Sequence, residues 1–284
     1  AENSTTWAKE MGVPIVRSDV VWKQKLLETF YLYLEKKDYS LIPSMTFAFS
    51  GGEPTYDNET FALIKNIVDR CAGKTKIVIQ ITSNFNAKEK QLNKFVDLMS
   101  EYQDVTWIWV ASIDDIYERN DAIRFHSKFD IIEKNIKTIY AVPNVKIVMM
   151  PSISVFSMPF LDEYVNYCKK IFGKDEYCIR WSFGQNVITG PQYLSPFMLD
   201  QSYEKYIDSA INVSNKIKVP RNKLGNHIAW VRHLVNIKKN LGKYNDKKWW
   251  VILNGFASQR ADSRSGVNIL DTFPHLQKNI NEYK

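Results

Sequence analysis

Two glycines, a glutamate and a proline stand together early in this 284-residue chain, within the stretch Phe-Ser-Gly-Gly-Glu-Pro. Gly51 and Gly52 permit backbone angles closed to other residues and let a ligand approach the main chain closely. The carboxylate of Glu53 could accept hydrogen bonds from an amine or a hydroxyl group, and Pro54 fixes the turn. The segment predicts a binding loop, although a connection without any function would have the same composition.

Short polar side chains also stand at the ends of four later apolar runs. They are Ser83 and Asn84, then Ser112 and Asp114, then Ser152 and Ser154, and finally Asn186. Alternate residues of a strand point to the same side, so Ser112 and Asp114 are expected to share one. A carboxylate placed there could bind the two hydroxyls of a ribose. These groups predict a site for a polar, nucleoside-like ligand.

The elements that would position these groups are strands and helices in alternation. Five apolar runs rich in Ile, Val and aromatic residues predict strands near residues 45–50, 76–82, 106–111, 145–154 and 177–183. Helical periodicity appears at residues 20–35, 58–71, 87–101, 129–140 and 160–172. Such alternation indicates an α/β fold with a parallel sheet, whose ligand site lies at the carboxyl ends of the strands. All the polar groups would then meet at one rim.

The alternation stops after residue 184, where two or three helices are expected over residues 200–258. We therefore expect a β/α domain over residues 1–198 and a helical extension over residues 199–284. The extension is basic, because residues 201–284 hold 15 lysines and arginines against 6 acidic residues. This surface could contact RNA, an anionic peptide or a membrane surface, or it could be a solvated helix face.

The three cysteines, Cys71, Cys168 and Cys178, form no Cys-x-x-Cys pair, so their spacing predicts neither a zinc site nor a redox motif. They are expected to be buried as small apolar residues. Few cysteines and no signal-peptide pattern favour a cytoplasmic protein. No apolar run is long enough to predict a membrane span.

The ordered set of strand ends resembles the core of radical S-adenosylmethionine (SAM) enzymes. FSGGEP follows the first strand, TSN the second and SID the third. The stretch SIDDIYERNDAIRFHSKFDIIEKNI, the later QNVITGPQYLS and the terminal ILDTFPHL are similar to twitch-domain members of that superfamily. The resemblance extends from about Trp7 to Leu276. The group Gly-Gly-Glu-Pro alone is moderately specific for this superfamily, whereas the whole ordered set of motifs is strongly specific for it.

The resemblance implies a partial (β/α)6 TIM-like barrel that lacks its first strand and is followed by the helical extension. It implies a [4Fe-4S] cluster that binds SAM and cleaves it reductively to a 5′-deoxyadenosyl radical, which abstracts a substrate hydrogen. The partners implied are a small-molecule or peptide substrate and an external electron donor. Membranes and nucleic acids are not expected as partners on this hypothesis.

The resemblance also assigns roles to individual residues. Gly51, Gly52, Glu53 and Pro54 match the segment that meets the methionine amino group of SAM. Ser83 and Asn84 would face the body of SAM, and Ser112 with Asp114 would bind its ribose. Arg124 would lie near the SAM carboxylate or the substrate. Ser152, Ser154 and Asn186 are weaker candidates for the same site.

The chain departs from the family at the cluster itself. The family holds its cluster with a Cys-x3-Cys-x2-Cys loop before Gly-Gly-Glu-Pro, leaving one iron open for SAM. No cysteine of this chain precedes Gly51. We therefore expect a fragment that begins just past its cluster loop, with residues 3–7 following the last cluster cysteine. It would be inactive alone and would expose the strand at residues 45–50 as an edge.

Two alternatives from other functional classes remain open. The chain could be a degenerate, non-catalytic barrel that binds a nucleotide-like ligand or a partner protein. It could also be a nucleic-acid-associated protein that uses its basic C-terminal third, in which case binding would weaken as salt is raised. The fold supports many chemistries, so the resemblance leaves the substrate and product undefined.

Overall fold

The structure is a computed structural model that describes residues 20–124, 126–263 and 269–282. The expectation for residues 3–7 lies outside these ranges. The described chain forms strands β1 (Ser44–Phe49), β2 (Lys76–Ser83), β3 (Thr106–Ala111), β4 (Val145–Met149), β5 (Ser152–Ile153), β6 (Trp181–Phe183) and β7 (Asn186–Val187).

Helices alternate with the strands and then continue alone. They are α1 (Val20–Lys36), α2 (Asn58–Cys71), α3 (Glu89–Glu101), α4 (Tyr117–Ile123), α5 (Phe129–Tyr140), α6 (Leu161–Phe172), α7 (Glu204–Asn215), α8 (Leu224–Lys239), α9 (Lys247–Ser263), α10 (Ile269–Thr272) and α11 (His275–Glu282). None of these helices is long and apolar enough to cross a membrane.

The main sheet is parallel throughout, with the strand order β1-β2-β3-β4-β6, and β5 pairs with β7 in a separate two-stranded sheet. Its central strands are buried, and the largest core side chains of the sheet include Trp107 and Trp109 on β3 and Trp181 on β6. Near-continuous apolar runs fit this position because both faces of a parallel sheet are buried. The fold is therefore α/β, with five parallel strands that are consistent with a partial barrel.

The two edges of the main sheet differ. Trp230 of α8 stacks on Phe183 of β6, with the ring centroids 4.6 Å apart, so the helical extension covers that edge. At the other edge, β1 pairs only with β2 among the described residues, and its residues alternate between exposed and half-buried. The expectation of an exposed strand near residues 45–50 is confirmed within the described chain.

Three expectations about the elements need correction. Pro151 interrupts the run at residues 145–154, because proline has no N–H for the ladder, and β4 and β5 form instead. The last strand begins at Trp181, because the residues before it turn through Cys178 at φ +62°. The short helix α4 was not predicted, since its seven residues carry little apolar periodicity.

Candidate functional site

The carboxyl ends of the parallel strands bring the sequence-predicted polar residues to one rim of the sheet. Hydrogen bonds join them in two groups, and the register of the ladder sets their spacing. One group centres on Glu53 after β1, and the other centres on Asp114 after β3. Each group connects the ends of neighbouring strands, as expected for polar side chains that follow parallel strands.

Glu53 ties the end of β1 to the end of β2. One carboxylate oxygen accepts from the Ser83 hydroxyl at 2.8 Å and the Thr55 hydroxyl at 2.7 Å. The other oxygen accepts from the Asn84 backbone N–H at 2.7 Å. Hydrogen bonds to a carboxylate are stronger than neutral ones, so Glu53 holds the two loops in a fixed relation.

The loop before Glu53 is open. Gly51 and Gly52 have φ angles of +95° and +60°, in the region that glycine enters without steric cost. A Cβ added at either position would meet nothing within 4 Å. Pro54, just after Glu53, is buried and anchors the loop to the protein. The exposed peptide groups of this loop are therefore accessible to a ligand at the rim.

The loop that follows β2 is held by hydrogen bonds from a buried residue that the sequence did not predict. Asn135 of α5 is buried, and its side-chain amide donates to the carbonyl oxygens of Phe85 and Ala87, both at 2.8 Å. Phe85 has a φ of +57°, which these bonds help to hold. An asparagine on the apolar face of an amphipathic helix was the available signal, because a buried amide requires partners.

The second group centres on Asp114, whose carboxylate forms a bidentate ion pair with Arg124. Arg124 Nε lies 2.9 Å from one carboxylate oxygen, and Nη2 lies 3.0 Å from the other. The Ser152 backbone N–H donates to the same carboxylate at 2.8 Å. The Ser152 hydroxyl in turn accepts from the Asn186 side chain at 2.9 Å. The rim is thus continuous from β3 to β7.

Two predicted ligand groups at the rim still have hydrogen-bonding capacity. The Ser112 hydroxyl and the side-chain N–H groups of Asn84 form no hydrogen bond with any residue that the structure describes. Ser154, by contrast, is buried, and its hydroxyl accepts from the Phe156 N–H in a local turn. The structure therefore brings Ser112 and Asn84 to the rim and directs Ser154 into the loop after β5.

A second ion pair lies next to the first in sequence but is turned into the protein. Arg119 bonds the buried Asp115 at 3.0 Å and Glu163 of α6 at 2.8 Å, and its guanidinium stacks on Phe160. Burial raises the pKa of Asp115 to about 7, although Arg119 opposes this shift. These contacts fix α4 against α6, so this pair positions the loop that carries Asp114.

SAM and the cluster differ in how well the residues fit them. The rim offers open glycine peptides, a carboxylate, a guanidinium and free amide and hydroxyl groups, which suit a ligand with amino, carboxylate and ribose groups. A [4Fe-4S] cluster does not fit, because Cys71 in α2, Cys168 in α6 and Cys178 before β6 are all buried in separate segments. In the described ranges, no three His, Cys, Asp or Glu side chains are grouped to hold a metal.

Comparison with known proteins gives two solved structures. No family model matches the chain, and no curated protein matches it. Native anSMEcpe with bound AdoMet matches with a TM-score of 0.44 and 15% identity over 68% of this chain and 51% of that chain. The complex of anSMEcpe with AdoMet and the Kp18Cys peptide matches with a TM-score of 0.42 and 16% identity, over 66% and 50%. The matched region spans about half the length of each solved chain.

Proposed function

We propose that the rim of the sheet is a SAM-binding site and that the chain is the SAM-binding core of a radical SAM enzyme. The observation that carries this proposal is the contact of Glu53 with Ser83 and Asn84. It brings Gly-Gly-Glu-Pro and Thr-Ser-Asn side by side, in the order that the sequence resemblance requires. The third motif, Ser-Ile-Asp, follows the next strand of the same sheet.

Each part of SAM has a matching group at the rim. The amino group would meet the carbonyl groups of the open glycine loop, which accept hydrogen bonds. The carboxylate would meet the guanidinium of Arg124, which forms an ion pair with Asp114. The ribose hydroxyls would meet Asp114 and Ser112. SAM supplies, when bound, a sulfonium that a reductant can cleave.

This chain does not supply the cluster ligands for that reductive step. All three of its cysteines are buried and separate, so the residues present hold no [4Fe-4S] cluster. We therefore propose SAM binding without cleavage for this chain. After anaerobic incubation with iron and sulfide and then desalting, it should retain no bound iron. Retained iron and sulfide in stoichiometric amounts would contradict this part of the proposal.

Equilibrium titration with SAM tests the binding itself. Wild-type protein should bind SAM, and Ser112→Ala should bind it about three- to tenfold more weakly, as expected for one lost hydrogen bond. Ser44→Ala is the matched control, because Ser44 is exposed at the opposite end of the sheet. Absence of SAM binding by the wild type, or equal effects of the two substitutions, would contradict the proposal.

A second candidate function is a non-catalytic barrel that binds a nucleotide-like ligand. The buried, separate cysteines favour it, since they leave the chain without a cluster. The same titration distinguishes the two candidates when adenosine monophosphate is used beside SAM. Preference for SAM supports the first candidate, whereas preference for the nucleotide supports the second.

A further inference from the structure

The Asp114–Arg124 ion pair brings together the two charges that the proposed ligand would need. The pair is bidentate, with the Arg124 side chain 27% exposed and the Asp114 side chain 9% exposed. Arg124 follows the last residue of α4, and its backbone N–H donates to Asn120, which fixes the base of the side chain. Its Nη1 makes no hydrogen bond with the residues that the structure describes. Arg124 therefore lies at the accessible side of the pair.

The neighbouring ion pair has a different arrangement. Arg119 is 13% exposed, its Nε and Nη2 bond two different carboxylates, and its guanidinium lies over an aromatic ring. Arg124 bonds one carboxylate and keeps an unused edge. Asp114 keeps a second fixed donor, the Ser152 N–H, which would hold its carboxylate in place if Arg124 moved away. The structure thus allows Arg124 to leave while Asp114 stays.

We infer that the Asp114–Arg124 ion pair is a latch that opens when a ligand supplies both a carboxylate for Arg124 and a vicinal diol for Asp114. The inference rests on the proposed function, since it takes SAM as the ligand that carries both groups. In the free protein each side chain occupies the other's ligand-binding atoms. A ligand with both groups replaces the Asp114–Arg124 ion pair with one between its own carboxylate and Arg124. Its two hydroxyls then donate hydrogen bonds to the Asp114 carboxylate.

A ligand with only one of the groups gains less. A carboxylate alone would take Arg124 and leave Asp114 as a largely buried charge without its counter-ion, which is costly. A diol alone would have to share the carboxylate with Arg124. The latch therefore discriminates against both halves of SAM, and removing one partner of the pair should improve binding of the fragment that competes with it.

The test titrates two fragments of SAM into the 284-residue chain at pH 8 and measures their affinities by ligand-observed NMR. Methionine carries the carboxylate, and 5′-methylthioadenosine carries the diol. Asp114→Asn should raise the affinity for methionine by about three- to tenfold, and Arg124→Gln should raise that for methylthioadenosine similarly, as expected for the release of a partly exposed ion pair. Asp114→Asn keeps an acceptor for the Ser152 N–H, which favours folding. Either variant suffices for the comparison.

Lys65→Gln is the matched control, because it breaks an exposed ion pair with Asp69 on α2, away from the rim, and should leave both affinities unchanged. If the fragments and SAM bind but neither variant raises an affinity, the latch is wrong and the proposed function stands. If neither the fragments nor SAM bind to any form, both are wrong. The wild type gives a further measurement: saturating SAM should shift the Arg124 Nε–H resonance, and an unchanged resonance would contradict the latch.

Discussion

At the scale of single residues, the rim depends on a few carboxylates that connect neighbouring strands. Glu53 accepts from four side-chain and backbone donors of two loops, and Asp114 accepts from Arg124 and Ser152. A buried donor that loses its acceptor costs more than the bond contributes. These residues are therefore expected to matter for stability as well as for ligand binding.

Glu53→Ala is expected to lower the free energy of unfolding by about 2–3 kcal/mol, because the Ser83 hydroxyl and the Asn84 N–H lose their acceptor. Glu53→Gln keeps one carbonyl oxygen as an acceptor, so its free energy of unfolding should lie between those of the wild type and Glu53→Ala. Urea unfolding of the three proteins measures the difference. A change of less than about 0.5 kcal/mol in Glu53→Ala, the size typical of surface substitutions, would contradict the tie between the strand ends.

His275 predicts a pH dependence at the start of α11. Its ring packs edge-on against the rings of Phe160 and Tyr203, and burial lowers its pKa from 6.5 to about 4. Between those values the unfolded chain binds the proton more readily, so stability is lost as pH falls from about 6.5 towards 4. His275→Gln removes the titrating ring and should flatten this part of the curve of Tm against pH.

The raised pKa of Asp115 acts with the opposite sign, since the folded state binds that proton more tightly and gains stability as pH falls from about 7. Asp115 is present in both proteins, so its effect cancels in the comparison. Parallel curves of Tm against pH for the wild type and His275→Gln would show that His275 is not buried as a neutral ring.

At the scale of elements, β1 and α1 form the open side of the part of the chain that the structure describes. A groove of about 440 Å³ lies between them and is lined by apolar side chains, among them Leu27, Phe30 and Phe47. Leu26 on the same helix is 60% exposed. An edge strand with apolar residues and no charge is a template for pairing with another chain. Self-association through β1 is the expected consequence.

Ala48→Lys places a charge on the exposed side of β1 and should slow aggregation severalfold, because a charged lysine on an edge strand opposes edge-to-edge pairing. Light scattering after dilution from urea, at one protein concentration, measures the rate. Asn93→Lys is the matched control, since it adds the same charge on an exposed position of α3. Equal slowing by both substitutions would indicate a net-charge effect and contradict a role for the edge.

At the scale of the whole molecule, the sequence predicted the sheet better than the contacts at its rim. Apolar runs and helical periodicity are local signals, so three strands and five helices were located to within two residues at each end. The α4 helix and the bonds of Asn135 and Arg124 depend on how loops fold across distances of ten residues or more. The positions of the strand ends predicted which residues meet at the rim. Which of these residues bond to one another could be read only from the structure.

The central claim, that this rim binds SAM, is tested most directly by NMR titration of isotope-labelled protein with SAM. Backbone amide signals of Gly51, Gly52, Asn84 and Ser112 should shift together and saturate at one ligand concentration, because all four lie at the carboxyl ends of β1, β2 and β3. Signals at Ser44 and Thr106, at the opposite ends of those strands, should stay unchanged. No shifts at the rim, or shifts confined to another surface, would contradict the account.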